Sequence, residues 1–292
     1  MRRWPGRGLI AGMTTASSTY ALRLSDDELG RYRMMAARAR VEESDLWTLA
    51  GLVPGARVAD VGCGPGAMLV ALAEVVGSTG HVVGIDADPA AVAAARAALA
   101  AARLRGGAAA GEVRQGRAEN TGLPPRSVDA AVLRHVLAHN GPAAQRIVDH
   151  LATLVRPGGH VYLVEVDMTT SVVTPAPPAA LELQGRYVRW HHRQGNDPRI
   201  GLRLPDLARA AGLDVVEHRG WTVGGPAPRG MRGPAWAARD ELVRAGLADA
   251  ADVARWDAAF ADLDTAPERP EITLGVFAAV CRRPVGPQGD PR

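Results

Sequence analysis

The stretch RVADVGCGPG at residues 57–66 decides the fold class of this chain. A short apolar run that contains Asp60 is followed by glycines at positions 62, 64 and 66, and then by a helix-forming run at residues 67–76. A short apolar run bounded by glycine is typical of a buried strand, and glycine tolerates the backbone angles of a tight turn. The first turn of a helix also presents free backbone N–H groups. The stretch therefore predicts a strand, a turn that a ligand can approach closely, and a helix.

A second apolar run, HVVGID at residues 81–86, ends in Asp86. An acid that ends the second strand, about twenty residues after a glycine turn, is placed to accept hydrogen bonds from a ribose. The glycine spacing bears on the class of cofactor, because the fingerprint of proteins that bind a dinucleotide reads G-x-G-x-x-G. This chain instead reads G-x-G-x-G. The spacing therefore argues against a dinucleotide.

The strings VADVGCGPG and VVGID together resemble the first motif and the second-strand acid of the class I S-adenosylmethionine-dependent methyltransferases. The resemblance extends over about residues 40–283 and is sharpest before residue 170. It implies an α/β protein with the Rossmann-like class I methyltransferase fold, which is a seven-stranded, mostly parallel sheet with helices on both faces and an N-terminal helical lid. It also implies S-adenosylmethionine as the cofactor.

The resemblance gives roles to the residues that match the motifs. Asp60 and the glycines would hold the amino-acid end of the cofactor, and Asp86 would hold the ribose hydroxyls. Helices ahead of the first strand commonly lie over the cofactor in this fold, so Tyr20 and Arg33 of the predicted lid are also cofactor-binding candidates. The predicted cofactor-binding residues are Asp60, Gly62, Gly64, Gly66, Asp86, Ala87, Ala118, Glu119, Arg134, Tyr20 and Arg33.

One position departs from the family pattern. The third strand of the family is usually followed by Gly-Asp-Ala, whose aspartate binds the adenine amino group, whereas this chain has Arg117 at that place. Arginine has no acceptor atom for an amino group. The side chain of Arg117 could stack on the adenine ring, or it could point away and leave the adenine to the backbone of Ala118 and to Glu119.

Strands and helices alternate along the chain, which predicts βαβ units and hence a parallel sheet. Four divisions are expected around them. Residues 1–19 are predicted to be disordered and residues 20–52 to form the lid. Residues 53–283 form the methyltransferase domain, with an insertion at about 168–203 that covers the substrate. Residues 284–292 are predicted to be a flexible tail.

Two histidines follow the predicted fourth strand in the string LRHVLAHN, and ligands bind at this edge of open α/β sheets. His135 and His139 are four residues apart, so one helical turn would place both on one face. Histidine suits a general base because its unperturbed pKa lies near neutrality. The alternative is that His135 packs against the sheet and His139 caps a helix. Glu165, at the end of the predicted fifth strand, is the third catalytic candidate.

The substrate-binding candidates are Asp167, Trp190, His191 and Trp236. The predicted helix around residue 190 carries two adjacent histidines, of which only one can face inward. The fourth strand does not end in the Asp/Asn-Pro-Pro-Tyr/Phe motif of methyltransferases that act on bases, and the chain has no basic stripe. A small organic acceptor is therefore expected, and the pattern resembles actinobacterial enzymes of secondary metabolism, including antibiotic biosynthesis. The sequence does not separate O-, N- and C-methylation, since one fold supports all three.

Composition narrows the chemistry further. All 34 basic residues among the 292 are arginines, which excludes Schiff-base lysine chemistry and a P-loop lysine. Two cysteines give neither a disulfide framework nor a zinc spacing, and no metal is expected. No apolar run approaches the ~18 residues of a membrane span. We expect a soluble cytoplasmic protein that binds neither nucleic acid nor membrane, and self-association as a homodimer follows only from base rates.

Two other functions stay open. An NAD(P)-dependent oxidoreductase could use a similar sheet, although the glycine spacing and the lack of lysine argue against it. The second alternative is a methyltransferase-like subunit without catalysis. The intact glycine stretch and Asp86 argue against it, whereas Arg117 is compatible with it.

Overall fold

The computed structural model describes residues 26–227, 229–230 and 232–285. Tyr20 and the predicted disordered segment 1–19 lie outside the described residues, and so do residues 286–292 of the predicted tail.

Seven strands form one sheet in the order β3-β2-β1-β4-β5-β7-β6. The first five strands pair in parallel, whereas β7 runs antiparallel to both β5 and β6. This arrangement confirms the predicted seven-stranded, mostly parallel sheet. The strands are β1 (Arg57–Val61), β2 (His81–Asp86), β3 (Ala110–Gln115), β4 (Val128–Arg134), β5 (Val155–Thr174), β6 (Asp214–Pro226) and β7 (Glu271–Arg282).

Helices cover both faces of the sheet. They are α1 (Asp26–Glu42), α2 (Ser44–Leu49), α3 (Ala67–Val76), α4 (Pro89–Leu104), α5 (Ala144–Leu154), α6 (Pro178–Arg193), α7 (Leu204–Ala210), α8 (Pro234–Ala237), α9 (Arg239–Arg244) and α10 (Ala250–Thr265). Three short 3-10 helices complete the described chain, at Leu137–His139, Gly141–Ala143 and Ile200–Arg203.

Alternating residues of β4 divide the apolar core into two layers. Ala131 and Leu133 pack in a cluster with residues of α5 and α7, while Ala130 and Val132 pack in a second cluster with residues of α3 and α4. Successive side chains of a strand point to opposite faces of the sheet. A central strand covered on both faces therefore contains a continuous apolar run, here residues 130–133.

The strand order reverses between β1 and β4, because the chain first moves outward through β2 and β3 and then returns to the other side of β1. Open α/β sheets bind ligands at such a reversal, beyond the carboxyl ends of the strands. The register pairs Val61 of β1 with Ile85 of β2 and with Leu133 of β4. The glycine turn, Asp86 and the segment that starts at Arg134 therefore lie together at one edge of the sheet.

A buried carboxylate joins the two N-terminal helices to this sheet. Glu43, between α1 and α2, is 1% exposed. It accepts hydrogen bonds at 2.8 Å from Arg134 Nη1 on β4 and at 2.8 Å from the hydroxyl of Tyr162 on β5. The indole of Trp47 donates to the same carboxylate at 3.4 Å. Because these partners surround the charge, the ion pair holds α1 and α2 against the carboxyl edge.

Two elements differ from their predicted extents. The fifth strand was expected at residues 160–167 but runs from Val155 to Thr174. Residues 168–174, predicted as the start of the insertion, continue the strand because Val172, Val173 and Thr174 pair with β7. β-Branched side chains pack well on such a ladder. The predicted helix at 236–247 is broken into α8 and α9 at Ala238.

Candidate cofactor and acceptor site

The glycine turn after β1 admits no side chain at two of its positions. Gly62 and Gly66 have φ values of 74° and 87°, in the left-handed region that favours glycine. A Cβ at Gly62 would lie 2.4 Å from Cγ2 of Val136, and a Cβ at Gly66 would lie 2.8 Å from Cα of Ala95. The turn thus packs closely against the segment that carries the two histidines and against α4. At Gly64, the nearest atom to an added Cβ is Cε1 of Tyr32, at 3.9 Å.

Asp86 bridges the glycine turn and the start of α4. Its Oδ2 accepts a hydrogen bond from the backbone N–H of Gly64 at 2.8 Å, and its Oδ1 accepts one from Asp88 N at 2.9 Å. Burial raises the pKa of Asp86, and these N–H donors act in the opposite direction. Each carboxylate oxygen can accept more than one hydrogen bond, so the geometry leaves capacity for ribose hydroxyls.

Asp60 is the residue that fits the implied cofactor most directly. Its side chain is 2% exposed, and Oδ2 has no hydrogen-bond partner among the described residues. Burial raises the pKa of Asp60 to about 7, the charge of Asp86 adds to this, and Arg134 opposes it. A buried carboxylate without a partner is costly, and a cationic group removes the cost. The ammonium of the amino-acid end of S-adenosylmethionine is such a group, so the residues present fit this cofactor.

The residues predicted to contact adenine are Ala118 and Glu119, next to Arg117. Arg117 points outward, with a side chain 69% exposed, and its Nε donates to Glu119 Oε1 at 2.6 Å. The Glu119 carboxylate is thus engaged by the residue that departs from the family pattern. Ala118 is half-buried, and Ala87 is exposed and accepts a hydrogen bond from Gln115 through its carbonyl. Contact of adenine with the backbone of Ala118 stays a prediction.

His135 begins the segment that faces the glycine turn. Its φ of 56° lies in the left-handed region, which is unusual for a residue other than glycine. Its backbone N–H donates to Val164 O at 2.9 Å, and Nδ1 is buried without a partner among the described residues. Burial holds the pKa of His135 well below its usual range, and the charges of Arg134 and Arg31 add to the effect.

His139 lies on the 3-10 turn that follows. Burial lowers its pKa to about 4, and the charge of Arg31 contributes. The two predicted histidines are therefore neutral imidazoles at neutral pH.

Glu165 contacts the backbone of this turn. It is fully buried, and its Oε1 accepts the N–H of Leu137 at 2.5 Å. Burial raises the pKa of Glu165 to about 7, against the N–H groups of Leu137, Val136 and Ala138. The catalytic role of Glu165 stays a prediction: Oε1 holds the histidine-bearing turn, while Oε2 is buried without a partner among the described residues.

The predicted substrate residues separate into two groups. Asp167 accepts from the backbone N of Thr169 at 2.9 Å and pairs with Arg199 at 3.3 Å, so its carboxylate closes a local turn. The Trp236 ring lies 3.6 Å from the guanidinium carbon of Arg239, and its Nε1 donates to Asp257 at 3.1 Å. Asp167 and Trp236 are thus both engaged by neighbouring groups, and their substrate roles stay predictions.

Trp190 and His191 belong to the other group, on α6. The His191 ring centroid lies 5.1 Å from that of His139, 4.5 Å from that of Tyr187 and 5.0 Å from that of Trp190. His191 is fully buried whereas His192 is exposed, as expected for adjacent residues of a helix. The structure thus brings His139 and His191 together from segments about fifty residues apart in sequence.

Two predicted cofactor residues have other surroundings. Arg33 is exposed on α1, while Arg31 and Tyr32 of the same helix are half-buried. The guanidinium of Arg134 is taken up by Glu43, although its charge still acts on the pKa of Asp60. Sequence reasoning missed Arg31, whose only sequence signal is the helical spacing to Met35, which accepts from Arg31 Nη1 at 3.4 Å. It also missed Glu43, since an acid within the polar run 42–45 looks solvated.

Among residues 26–227, 229–230 and 232–285, no three His, Cys, Asp or Glu side chains are grouped so as to hold a metal ion. Within the same ranges, no helix is both long enough and apolar enough to cross a membrane.

Comparison with known families gives a match over the first half of the sheet. Residues 58–159 match the family described as "Methyltransferase domain". This segment includes the glycine turn, Asp86 and both histidines of the acceptor side.

Two curated proteins are similar in sequence. One is an uncharacterized 37.1 kDa protein in transposon TN4556 of Streptomyces fradiae, 34% identical over 165 residues, which cover 56% of this chain and 44% of that protein. The other is the ubiquinone biosynthesis O-methyltransferase of Cupriavidus pinatubonensis, 31% identical over 174 residues, which cover 60% of this chain and 66% of that protein. The chain thus spans less than two thirds of the length of either relative.

Solved structures share the fold. A protein of Bacillus halodurans C-125, provisionally described as a methyltransferase, superposes with a TM-score of 0.53 at 17% identity, covering 82% of this chain and 98% of that protein. At this identity the likeness supports the fold alone.

Proposed function

We propose that the chain is a class I S-adenosylmethionine-dependent methyltransferase and that it transfers a methyl group from S-adenosylmethionine to a small organic acceptor. The acceptor is a metabolite, and secondary metabolism, such as antibiotic biosynthesis, is the setting that the sequence pattern favours. The similarity to an O-methyltransferase of ubiquinone biosynthesis supports a small molecule over a macromolecule. We place the enzyme in the cytoplasm, acting without nucleic acid or membrane.

The buried carboxylate of Asp60, whose Oδ2 has no hydrogen-bond partner among the described residues, carries this proposal. Together with Asp86 it puts two acids beside the glycine turn. Two carboxylates repel the pyrophosphate of a dinucleotide and attract a cofactor that carries positive charge. The sulfonium and ammonium groups of S-adenosylmethionine match this field, and NAD does not.

The chain's own residues position the reactants. S-adenosylmethionine supplies an activated methyl group, so holding the acceptor in line and excluding water is the main task of the protein. Asp60 would hold the amino-acid end of the cofactor and Asp86 its ribose, while Tyr32 of α1 lies next to the turn at Gly64. His135 and His139, both neutral, stand where the acceptor would approach.

Calorimetric titration with S-adenosylhomocysteine and, in parallel, with NAD tests the proposal. We expect micromolar binding of the first and none of the second. The Asp86→Ala variant should bind S-adenosylhomocysteine at least tenfold more weakly, since buried hydrogen bonds are worth about 1–3 kcal/mol each. The matched control is Asp262→Asn, because Asp262 is exposed on α10.

The outcomes are distinct. Binding of NAD alone would overturn the proposal in favour of an oxidoreductase. Binding of S-adenosylhomocysteine without any methyl transfer to a metabolite panel would favour a subunit without catalysis.

A further inference from the structure

The segment that follows β3, residues 116–121, contains the predicted adenine contacts and folds back on itself. We name this segment the adenine turn. The backbone N–H of Asn120 donates to the carbonyl of Arg117 at 2.9 Å, and the two residues form an isolated antiparallel bridge. Ala118 and Glu119 are the two central residues between them. Within the described part of the chain, the N–H of Ala118 donates to no other group, so a ligand can take it up.

One end of the adenine turn is attached to the strand that carries the predicted ribose acid. The N–H of Gly116 donates to the carbonyl of Asp86 at 2.9 Å. A Cβ at Gly116 would lie 3.0 Å from Cγ2 of Ile85 and 3.3 Å from the carbonyl oxygen of Thr121. The two ends of the turn therefore lie close to each other and to the end of β2.

The other end of the adenine turn is held by a side chain of α5. Nε2 of His150 lies 3.0 Å from the backbone nitrogen of Thr121 and 2.8 Å from its Oγ1. Thr121 is 3% exposed, and its Oγ1 accepts a hydrogen bond from the N–H of Leu123 at 3.3 Å. Because Oγ1 accepts from Leu123, its own hydroxyl proton is available to His150. His150 thus fixes the turn at a buried residue.

The backbone donor determines the tautomer of this ring. A backbone N–H can only donate, so Nε2 of His150 is the acceptor and carries no proton. In the neutral imidazole the proton is then on Nδ1. Burial lowers the pKa of His150, while the charge of Glu119 acts in the opposite direction. The ring is therefore neutral at neutral pH and keeps its acceptor for Thr121.

The position of the turn matters because side chains offer little to the base. Arg117 has no acceptor for the adenine amino group, and the carboxylate of Glu119 accepts from Arg117 at 2.6 Å. The N–H of Ala118 suits N1 of adenine, which is an acceptor. It does not suit hypoxanthine, whose N1 carries a proton. Recognition of the base then depends on where the backbone of Ala118 lies.

We propose that His150 is a positioning residue for the adenine end of the cofactor: by accepting from the N–H and the hydroxyl of Thr121, it holds the adenine turn so that the N–H of Ala118 meets N1 of adenine. The proposal rests on the methyltransferase function above. His150 acts through Thr121 and contacts neither cofactor nor acceptor. Loss of its acceptor should therefore weaken discrimination between bases and leave ribose binding by Asp86 in place.

Two ligands that differ in the base test this role. S-adenosylhomocysteine and S-inosylhomocysteine, in which hypoxanthine replaces adenine, are titrated into the full chain by calorimetry. The wild type should bind the adenine compound about tenfold more tightly, because hypoxanthine leaves the N–H of Ala118 unpaired. In His150→Phe, which keeps a ring but has no acceptor, this ratio should fall below about threefold. His150→Gln should restore the ratio, because its amide oxygen can accept from Thr121.

Control variants separate this effect from a general loss of binding. His192→Phe makes the same substitution at an exposed histidine of α6 and should leave the ratio unchanged. Asp86→Ala should weaken both compounds alike, since they share the ribose. Thermal melting of each variant verifies that the fold is retained. If His150→Phe does not fold, Thr121→Val, which removes the hydroxyl and keeps the N–H, should lower the ratio by a smaller factor.

Each result decides between the possibilities. A preference for the adenine compound that persists in His150→Phe, with or without an equal loss of both affinities, would overturn the positioning role. Equal binding of the two compounds by the wild type would also overturn it, and the methyltransferase function would stand. If the wild type bound neither compound, the proposed function and this inference would fall together.

Discussion

The cofactor side and the acceptor side of the site are built in different ways. The cofactor side comes from residues 57–66 and 81–86, and its geometry depends on backbone angles and two acids. The acceptor side combines α1, the turn at 135–141 and α6, and its geometry depends on side chains from three remote segments. The local backbone geometry of the cofactor side is little affected by changes elsewhere in the chain. The acceptor side keeps its geometry only if the packing between its three segments is kept. The acceptor side should therefore be the more fragile of the two.

The largest expected effect tests that fragility through Glu43→Gln. This change leaves Arg134 buried without its counter-charge, which typically costs about 3–5 kcal/mol. Urea denaturation would measure the loss. The matched control is Glu42→Gln, which removes only an exposed pair with Arg38 and should cost about 0–1 kcal/mol. Equal stabilities of the two variants would mean that the N-terminal helices do not depend on the buried pair.

Gly62→Ala probes the contact between the two sides. The left-handed backbone should cost about 1–2 kcal/mol. Overlap of the new Cβ with Val136 should add about 1–3 kcal/mol. Adding Val136→Ala removes the overlap but not the backbone cost, so the double variant should recover part of the stability in denaturant titrations. Full additivity of the two changes would show that the glycine turn and the histidine-bearing segment are energetically independent.

Asp60→Asn sharpens the assignment of the cofactor side. S-adenosylhomocysteine affinity should fall about tenfold, which corresponds to about 1.4 kcal/mol. In the wild type, affinity should also fall as pH drops below about 7, since protonation of Asp60 removes its charge. The variant should lack this pH dependence. Calorimetric titrations between pH 5 and pH 9, with about one titration per pH unit, would measure the affinity of each protein and its pH dependence.

The same residue makes a stability prediction with a definite sign. The pKa of Asp60 is raised in the folded protein, so the ligand-free fold binds this proton more tightly than the unfolded chain does. Its contribution to stability is therefore full below the unfolded pKa of about 4 and is lost as pH rises through about 7. Ligand-free Asp60→Asn should exceed the wild type in stability more at pH 8 than at pH 4. The opposite trend in denaturant midpoints would contradict the burial of an unpaired acid.

The smallest effect concerns the acceptor side alone. Nδ2 of Asn196 lies 3.1 Å from Nδ1 of His191. In Asn196→Asp a carboxylate replaces this amide, so His191 should carry a proton on Nδ1. Histidine NMR signals should report the altered protonation, while stability changes by only about 1 kcal/mol for an exchanged hydrogen bond. Persistence of a neutral ring protonated on Nε2 alone in this variant would show that the amide does not set the tautomer.

The fold was predictable because its signals are local. Strand β1 and helix α3 have the predicted bounds, since an apolar run, three glycines and a helix-forming run determine them within about twenty residues. Strand β5 was predicted too short, because the residues after Asp167 are held by pairing with β7, which is remote in sequence. Helical periodicity correctly limited the inward positions on α6 to one of its two adjacent histidines.

The site itself was only partly within reach of sequence reasoning. Arg33 was chosen on α1, where it is exposed while Arg31 is half-buried, because the rotation of a helix depends on what it packs against. Glu43 shows the same limit, because its partners on β4 and β5 are far away in sequence. The cofactor roles of Asp60 and Asp86 stay predictions that the ligand titrations test.

The sequence by itself determined the fold class and the position of the glycine turn, because short-range backbone preferences and apolar periodicity are encoded in neighbouring residues. Only the tertiary structure decided which charged and polar side chains are buried beside the histidine-bearing turn. Asn196 contacts the ring of His191 from across a turn, and Glu43 is engaged by an arginine ninety-one positions away. Burial and charge at such a site depend on which distant segments meet there, and that follows only from the packing of the whole sheet.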